Sequence, residues 1–283
     1  MQQSIVYAIV AMVCYGLGDF IYKQGAAAGI RADHFLMAQA WFFAPLVTVY
    51  ALATGTLVLD PAAAWGSLAG GFIFVGFYFF IRSLATGAVS TNSSIFRMNF
   101  IVTVFLVVAL LGEPLTASKI AGLALALLAT WLLLGADAAP AAKESRRRSL
   151  LQVGIATLAF GTSTFFHTLG LRHGALPETL AVAQAALFVP LATAVVYLTD
   201  RKLPPPAVTF RYGAASAIAL FGATIFLLRG LALGQASVLV PIAQMGFIVA
   251  ALLGIFILRE RVTMRKAIGL ASALAALATL ATS

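Results

Sequence analysis

Apolar runs of roughly twenty residues recur along the chain, separated by short polar segments. A helix needs about 20 apolar residues to cross a bilayer, whereas the strands of a membrane β-barrel alternate over about ten residues. The pattern therefore predicts an all-α protein with ten membrane-spanning helices. These are Ser4–Lys23, Phe35–Thr54, Trp65–Ala85, Val89–Leu111, Leu115–Leu134, Leu150–Leu171, Thr179–Thr199, Tyr212–Leu233, Ala236–Leu258 and Val262–Ala281.

One hydrophilic linker, residues 136–149, divides five helices from five and predicts two halves, residues 1–135 and 150–283. The halves are copies of each other. Residues of the first copy match residues of the same type in the second. The matched positions are 145 residues apart in the first two helices of each copy and 147 residues apart in the last three. The matches include Gly16/Gly161, Gln39/Gln184, Pro45/Pro190, Arg82/Arg229, Glu113/Glu260 and Lys119/Lys266.

Five helices per copy is an odd number, so the second copy enters the membrane from the opposite side. Inverted repeats of this kind are the architecture of secondary transporters, whose substrate site lies near the midplane between the halves. We therefore expect two inverted five-helix repeats around a central cavity. Glycines and prolines such as Gly16, Gly161, Pro45, Pro190 and Gly87/Gly234 are candidate flexible or kinked points.

Composition and charge agree with a membrane protein. The chain is 62% hydrophobic and 10% charged, with a mean hydropathy of +1.02, whereas soluble domains carry about 25% charged residues. Fourteen lysines and arginines lie on the loops after helices 1, 3, 5, 7 and 9, and three on the other loops. The excess predicts a cytoplasmic linker and two periplasmic termini in a bacterial inner membrane, and explains the net charge of +9 better than nucleic-acid binding does. The single Cys14 permits no intramolecular disulfide.

Arg97 is the first candidate site residue. It lies about 12 Å along the predicted helix Val89–Leu111 from its first residue, at a rise of about 1.5 Å per residue. An arginine at that depth marks a functional site by default; alternatively, it snorkels or pairs structurally. Arg97 matches Gln244 of the second copy. Asn99, Gln39 and Gln184 would join them at a central polar cavity, or else form hydrogen bonds between helices.

Aromatic and ionisable residues supply further candidates. Tyr78 and Trp41 could contact an apolar substrate group, although rings on packing or lipid-facing surfaces are common. Asp19 lies four residues before Lys23 and either pairs with it or titrates as a proton-coupling site. His167 could also titrate. We find no metal site among the three histidines, no P-loop and no GxSxG or HExxH motif, so we expect no catalytic residue, metal or cofactor.

Two further patterns suggest structural roles. Glu113 and Glu260 stand before helices 5 and 10, where a carboxylate interacts favourably with the helix dipole. Small residues repeat every four positions along those helices, from Ser118 through Gly122 and from Gly269 to Ala273. Such ladders predict close helix packing, either between halves or between protomers.

The segments GEPLTASKIAGL and RERVTMRKAIGL, which close the two copies, resemble the drug/metabolite transporter superfamily. The whole chain is similar to its ten-helix EamA-type carriers, and among them to the bacterial YddG-type amino acid exporters. The resemblance implies a ten-helix basket whose cavity is lined mainly by helices 1–4 and 6–9. On those helices lie Gln39, Tyr78, Arg97, Asn99, His167, Gln184 and Gln244.

Together these observations predict a carrier that exports amino acids, with aromatic and hydrophobic ones favoured, by alternating access. The expected partners are a small-molecule substrate and membrane lipid, without nucleic acid, and the carrier would be a monomer or weak dimer. A drug or nucleotide-sugar carrier of the same fold is the alternative. A membrane-embedded lipid enzyme is a more remote one, because the sequence shows no nucleophile–base pair.

Overall fold

The computed structural model describes residues 2–58, 60–86, 89–134, 143–201, 203, 207–257 and 263–283. These residues form helices joined by short connections, with one 3₁₀ turn at Pro61–Ala63 and no strand within those ranges. The helices are α1 Gln2–Ala27, α2 Ala32–Ala53, α3 Ala64–Thr86, α4 Val89–Arg97, α5 Asn99–Leu111, α6 Ala117–Leu134, α7 Lys143–Arg172, α8 Pro177–Asp200, α9 Ala207–Leu233, α10 Ala236–Gln244, α11 Phe247–Phe256 and α12 Met264–Ala281.

Eight of the ten predicted spans are single helices, but the fourth and ninth are each divided in two. The prediction of one continuous helix was wrong there: the chain leaves helical geometry at Met98, with ψ near 4°, and at Met245, with ψ near 15°. Tight turns bridge both breaks, with the Met98 amide donating to Ile95 and the Met245 amide to Ile242, each at 3.1 Å. The apolar pattern runs through both breaks, although Gly246 in the second is a weak helix former.

The predicted kink points lie elsewhere. Gly16, Gly161, Pro45 and Pro190 are all inside continuous helices, and Gly234 lies in the turn between α9 and α10. Gly87 lies outside the described residues. The predicted linker is also shorter than expected, because α7 begins at Lys143 rather than at Leu150.

The two repeats interlock rather than standing side by side. The first helix of each repeat packs against the third helix of the other, α1 on α9 and α7 on α3. The second helices follow the same rule, α2 on α9 and α8 on α3. Glycines permit the close approach: a Cβ at Gly66 would lie 2.5 Å from the carbonyl oxygen of Leu180. The core therefore belongs to both repeats.

The small-residue ladders pack between halves. A Cβ at Gly122 of α6 would lie 2.7 Å from Leu280 of α12, and one at Gly269 of α12 would lie 2.7 Å from Leu133 of α6. Of the two alternatives that the sequence left open, these contacts select packing between the repeats.

Large apolar side chains cover the outside of the bundle, including Phe105, Leu110 and Phe256, which are more than 60% exposed. Within the described ranges, nine segments are long and apolar enough to cross a membrane, and α6 is slightly shorter. We call the end of the bundle at which α1 ends and α2 begins the linker end, and the opposite end, which holds Gln2 and Ser283, the termini end.

Candidate functional site

The break between α4 and α5 carries the charged centre of the molecule. The Arg97 guanidinium, at the last residue of α4, donates to the Asp19 carboxylate of α1. A cation is favoured at a helix C-terminus by the helix dipole. The two side chains remain 20% and 24% exposed, so the pair is accessible. Asp19 therefore pairs with an arginine of α4, a partner that the sequence analysis did not consider.

Asn99 begins α5 on the other side of the break. Its side-chain amide donates to the carbonyl of Phe96 at 2.8 Å, which satisfies one of the carbonyls that α4 leaves unpaired at its end. The Oδ1 atom of Asn99 is buried and has no hydrogen-bond partner. An unpaired buried acceptor costs free energy, so Asn99 holds an unused hydrogen-bonding position beside Arg97.

Each break packs against a glycine in the first helix of the other repeat. A Cβ at Gly161 would lie 2.5 Å from the Asn99 carbonyl oxygen, and the Thr103 hydroxyl donates to the Gly161 carbonyl at 2.8 Å. Likewise, a Cβ at Gly16 would lie 2.5 Å from Cβ of Val249, just after the second break. These glycines serve close packing, and that accounts for their match between the repeats.

The predicted glutamines lie at equivalent positions but have different surroundings in the two repeats. The Tyr22 hydroxyl donates to Oε1 of Gln39 at 2.5 Å. In the second repeat, 145 residues later, His167 stands where the first has Tyr22. Nε2 of His167 and Oε1 of Gln184 are buried without a partner. The second repeat thus keeps unsatisfied polar atoms where the first has a complete hydrogen bond.

The ion pair has no charged equivalent in the second repeat. Thr164 occupies the position of Asp19, and Gln244 occupies that of Arg97. Both are buried, and Gln244 ends α10 as Arg97 ends α4. The scaffold therefore tolerates neutral residues at these positions.

Tyr78 lies away from this centre, in a cavity of about 430 Å³ at the linker end. The Arg82 guanidinium donates to the Tyr78 hydroxyl and stands 5.2 Å from the centre of its ring. Small-molecule sites typically measure about 300–1,000 Å³. The lining consists of Arg31, Ala32, Asp33, Leu36, Phe74, Phe77, Tyr78, Ile81, Arg82, Phe188, Ala192, Val195 and Thr199.

Charged residues surround the mouth of this cavity. Arg31 donates to Asp33 and, at 2.8 Å, to Asp200 at the end of α8, which also contacts His34. These hydrogen bonds raise the pKa of the Arg31 guanidinium above its usual range. Cations, an anion and aromatic rings therefore meet in one accessible space.

Trp41 contributes less than the sequence suggested. The Trp41 indole donates to the Thr193 hydroxyl at 2.8 Å, and its ring packs 6.1 Å from that of Phe210. These contacts join α2 to α8 and α9, which is a packing role, and the cavity lining does not include Trp41.

Polar contacts join several helices at the termini end. Arg229 donates to Glu178 at 2.8 Å and to the Tyr50 hydroxyl at 2.9 Å. Glu113 accepts from the amides of Ala236 and Ser237 at 3.1 and 2.8 Å. Glu113 therefore caps α10 of the other repeat rather than its own helix as expected, and Glu260 lies outside the described residues.

Sequence reasoning missed Tyr22, Glu178 and Arg229. The repeat offsets held a usable signal: Tyr22 matches His167, and Glu178 matches Asp33. Metal binding is not indicated, since the described part of the chain holds no group of three His, Cys, Asp or Glu that could bind an ion.

Interlocked inverted repeats, two helices broken near midspan and a polar centre define a multi-pass membrane protein of the secondary-transporter class. The EamA-like transporter family matches residues 2–135 and again residues 147–282, so the chain belongs to this family. Membership identifies it as a membrane transporter of the drug/metabolite superfamily, whose members are generally not enzymes.

The fold is also that of known structures. One solved structure, described as the crystal structure of a protein, superimposes with a TM-score of 0.83 over 99% of this chain and 96% of that one, at 17% identity. A search of curated protein sequences returns no significant match.

Proposed function

We propose that this transporter exports amino acids, with aromatic and hydrophobic ones favoured, from the cytoplasm across a bacterial inner membrane. The observation that carries the proposal is the accessible Asp19–Arg97 pair at the break between α4 and α5. An amino acid is a zwitterion, so its carboxylate can bind Arg97 while its ammonium group binds Asp19. The unpaired Oδ1 of Asn99 offers a further acceptor beside them.

The linker-end cavity supports the preference for apolar side chains. Phe74, Phe77, Tyr78 and Phe188 bring four rings into its lining. Rings bury large apolar surfaces and stack on other rings. With the linker in the cytoplasm, as the distribution of charge favours, this cavity is the route by which substrate reaches the central pair.

We propose that the second repeat completes the site. His167, Gln184 and Gln244 lie at equivalent positions in its helices, and two of these side chains carry unpaired buried atoms. Such atoms can bind the substrate after the cavity closes, and Gln39 holds Tyr22 in place on the opposite side. Because the small-residue ladders are used between α6 and α12, we further propose a monomer or weak dimer.

A nucleotide-sugar or drug carrier is the second candidate, and one observation favours it. Arg31 and Arg82 both line the cavity mouth, and two guanidinium groups suit a phosphate-bearing substrate. Asp33 in the same lining disfavours polyanions.

Counterflow in proteoliposomes tests the proposal. Vesicles loaded with one unlabelled solute are given labelled amino acid at two pH gradients, with a panel of amino acids, nucleotide-sugars and cationic drugs inside. We expect saturable exchange that aromatic amino acids drive best, and dependence on the gradient would indicate proton coupling and make Asp19 and His167 the next residues to substitute. No uptake of labelled amino acid by folded protein, whichever amino acid is loaded, would contradict the proposal.

Arg97→Ala is the matching variant, and the exposed Arg211→Ala at the linker end is its control. Losing the guanidinium removes the carboxylate partner, so we expect at least a tenfold fall in exchange for Arg97→Ala, equivalent to about 1.4 kcal/mol. Arg211→Ala should exchange at the wild-type rate. Equal exchange by both folded variants would remove Arg97 from the site.

A further inference from the structure

The contact between Arg229 and Glu178 joins helices of the transporter at the termini end. Arg229 of α9 binds the Glu178 carboxylate of α8 through both Nε and Nη2, at 2.8 and 2.6 Å. Glu178 is only 3% exposed, and Tyr50 of α2 holds the same guanidinium from the other repeat. The contact thus ties α2, α8 and α9 together at the termini end.

The repeat offsets give both residues a charged counterpart at the linker end. Arg229 lies 147 residues after Arg82, and Glu178 lies 145 residues after Asp33. These are the offsets that relate the third and second helices of the two repeats. The inverted repeat therefore places an acid and an arginine at equivalent positions at both ends.

At the linker end these residues border open space. Asp33 and Arg82 both belong to the lining of the cavity of about 430 Å³. The Asp33 carboxylate accepts from Arg31 in the same turn, and the Arg82 guanidinium lies against Tyr78 in its own helix. The two ends thus use equivalent residues in two different arrangements.

We propose that Asp33 and Arg82 form a gate at the linker end and bind each other when the cavity closes, as Glu178 and Arg229 do at the termini end. In a transporter built from inverted repeats, each repeat can adopt the conformation that the other has now, and this exchange opens the opposite end of the cavity. Closure would bring Asp33 of α2 against Arg82 of α3, while the Glu178–Arg229 contact opens. This inference rests on alternating access but not on the choice of amino acids as substrate.

Each pair would then bias the equilibrium between the two states. A guanidinium–carboxylate contact stabilises only the state in which it forms. A contact shifts the equilibrium between two states by the difference between its free energies in them. Removing the linker-end pair should favour the state open at the linker end. Removing the termini-end pair should favour the state open at the termini end.

Two cysteine reporters can measure this balance without substrate. In a Cys14→Ser background, Ala192→Cys reports on the linker-end cavity, which Ala192 lines. Val47→Cys lies at the equivalent position of the first repeat, 145 residues earlier, and is fully buried here. The readout is the ratio of the labelling rates of Ala192→Cys and Val47→Cys by a water-soluble maleimide.

We expect Asp33→Asn and Arg82→Gln to raise this ratio and Glu178→Gln and Arg229→Gln to lower it, each about fivefold, the effect of about 1 kcal/mol. Arg211→Ala is the control and should leave it unchanged. The charge-reversed pair Asp33→Arg/Arg82→Asp should return the ratio toward wild type, which a merely structural role would not do.

An unchanged ratio in folded Asp33→Asn and Arg82→Gln would overturn the gate, as would shifts in the same direction from both ends. Because Glu178 is buried, each variant is first checked for a monodisperse size-exclusion profile. If the Glu178 variant does not fold, the Asp33 and Arg82 variants alone decide whether the gate exists. Opposite shifts without amino acid counterflow would support the gate and contradict only the substrate.

Discussion

The centre of the first repeat carries the ion pair Asp19–Arg97, whereas the equivalent positions of the second repeat carry the neutral Thr164 and Gln244. The surrounding framework is nevertheless the same. Both repeats break the fourth helix after an equivalent residue, and both breaks pack on a matched glycine of the opposite repeat. The framework thus follows the duplication, while the charge is confined to one copy.

This difference separates what holds the fold from what acts on a substrate. An ion pair away from bulk water is weak evidence for stability, even when it is partly exposed as this one is, since neutral replacements of similar size are often as stable. The second repeat shows such a replacement within the same molecule. The shared glycines therefore belong to the packing of the fold, and the unshared charges are the ones to which the proposal above gives a role in transport.

The largest expected effect comes from breaking the shared framework. Gly161→Ala and Gly16→Ala would each place a Cβ within about 2.5 Å of the facing backbone or side chain, and backbone cannot move aside cheaply. Overpacking of this kind costs about 1–3 kcal/mol. We expect both variants to lower the midpoint of thermal unfolding in detergent by similar amounts.

Gly154→Ala on α7 is the matched control for that experiment. No atom lies within 4 Å of a Cβ placed there, and alanine is favoured over glycine inside a helix by about 0.5–1 kcal/mol. Its midpoint should rise. A similar fall in all three variants would mean that the glycines act through helix properties rather than through the contact between repeats.

The next effect sharpens the difference in charge. The double variant Asp19→Thr/Arg97→Gln gives the first repeat the residues of the second. It leaves no unpaired charge, so its unfolding midpoint should stay near wild type, while counterflow falls at least tenfold. Arg97→Gln alone should unfold more easily than the double variant, because Asp19 keeps its charge without its partner.

Retention of transport by the folded double variant would contradict the functional role of the pair. A double variant less stable than either single variant would instead show that the charges hold the first repeat together.

The sequence predicted the helices and the duplication well, because apolar runs and matched polar residues are local properties of the chain. It failed where a property is not local. Met98 and Met245 suit a helix interior, so nothing in the apolar pattern marks the breaks. Asp19 has Lys23 four residues away on its own helix, whereas Arg97, 78 residues away along the chain, becomes its partner only through the tertiary fold.

The site was predicted in part for the same reason. Gln39 and Gln184 were identified by their match. Tyr22, the partner of Gln39, corresponds to His167, which differs in chemistry, so only the aligned position relates the two residues. Tyr78 was grouped with Arg97 because both lie on helices that line the cavity in the family that the chain resembles. Their separation depends on how α3 lies against α8, which spacing along the chain does not encode.

The smallest expected effect concerns these matched polar pairs. Tyr22→Phe removes the donor to Oε1 of Gln39, which is 3% exposed, and an acceptor left unpaired in the interior costs about 1 kcal/mol or more. In domains of about 150–250 residues, a loss of about 1 kcal/mol lowers the unfolding midpoint by about 2–4 °C, and we expect a fall of no more than that size here. Tyr7→Phe on the same helix is the control, because its hydroxyl contacts exposed Gln3.

The double variant Tyr22→Phe/Gln39→Leu tests the cause. Replacing both partners leaves no unsatisfied group, so it should recover most of the lost stability. In the second repeat, Oε1 of Gln184 is already unpaired, so Gln184→Leu should cost less stability than Gln39→Leu, which strands the Tyr22 hydroxyl. Equal losses from the two leucine variants would mean that the pairs are energetically alike. The unpaired atoms of the second repeat would then no longer mark it as the half that keeps hydrogen-bonding capacity for a substrate.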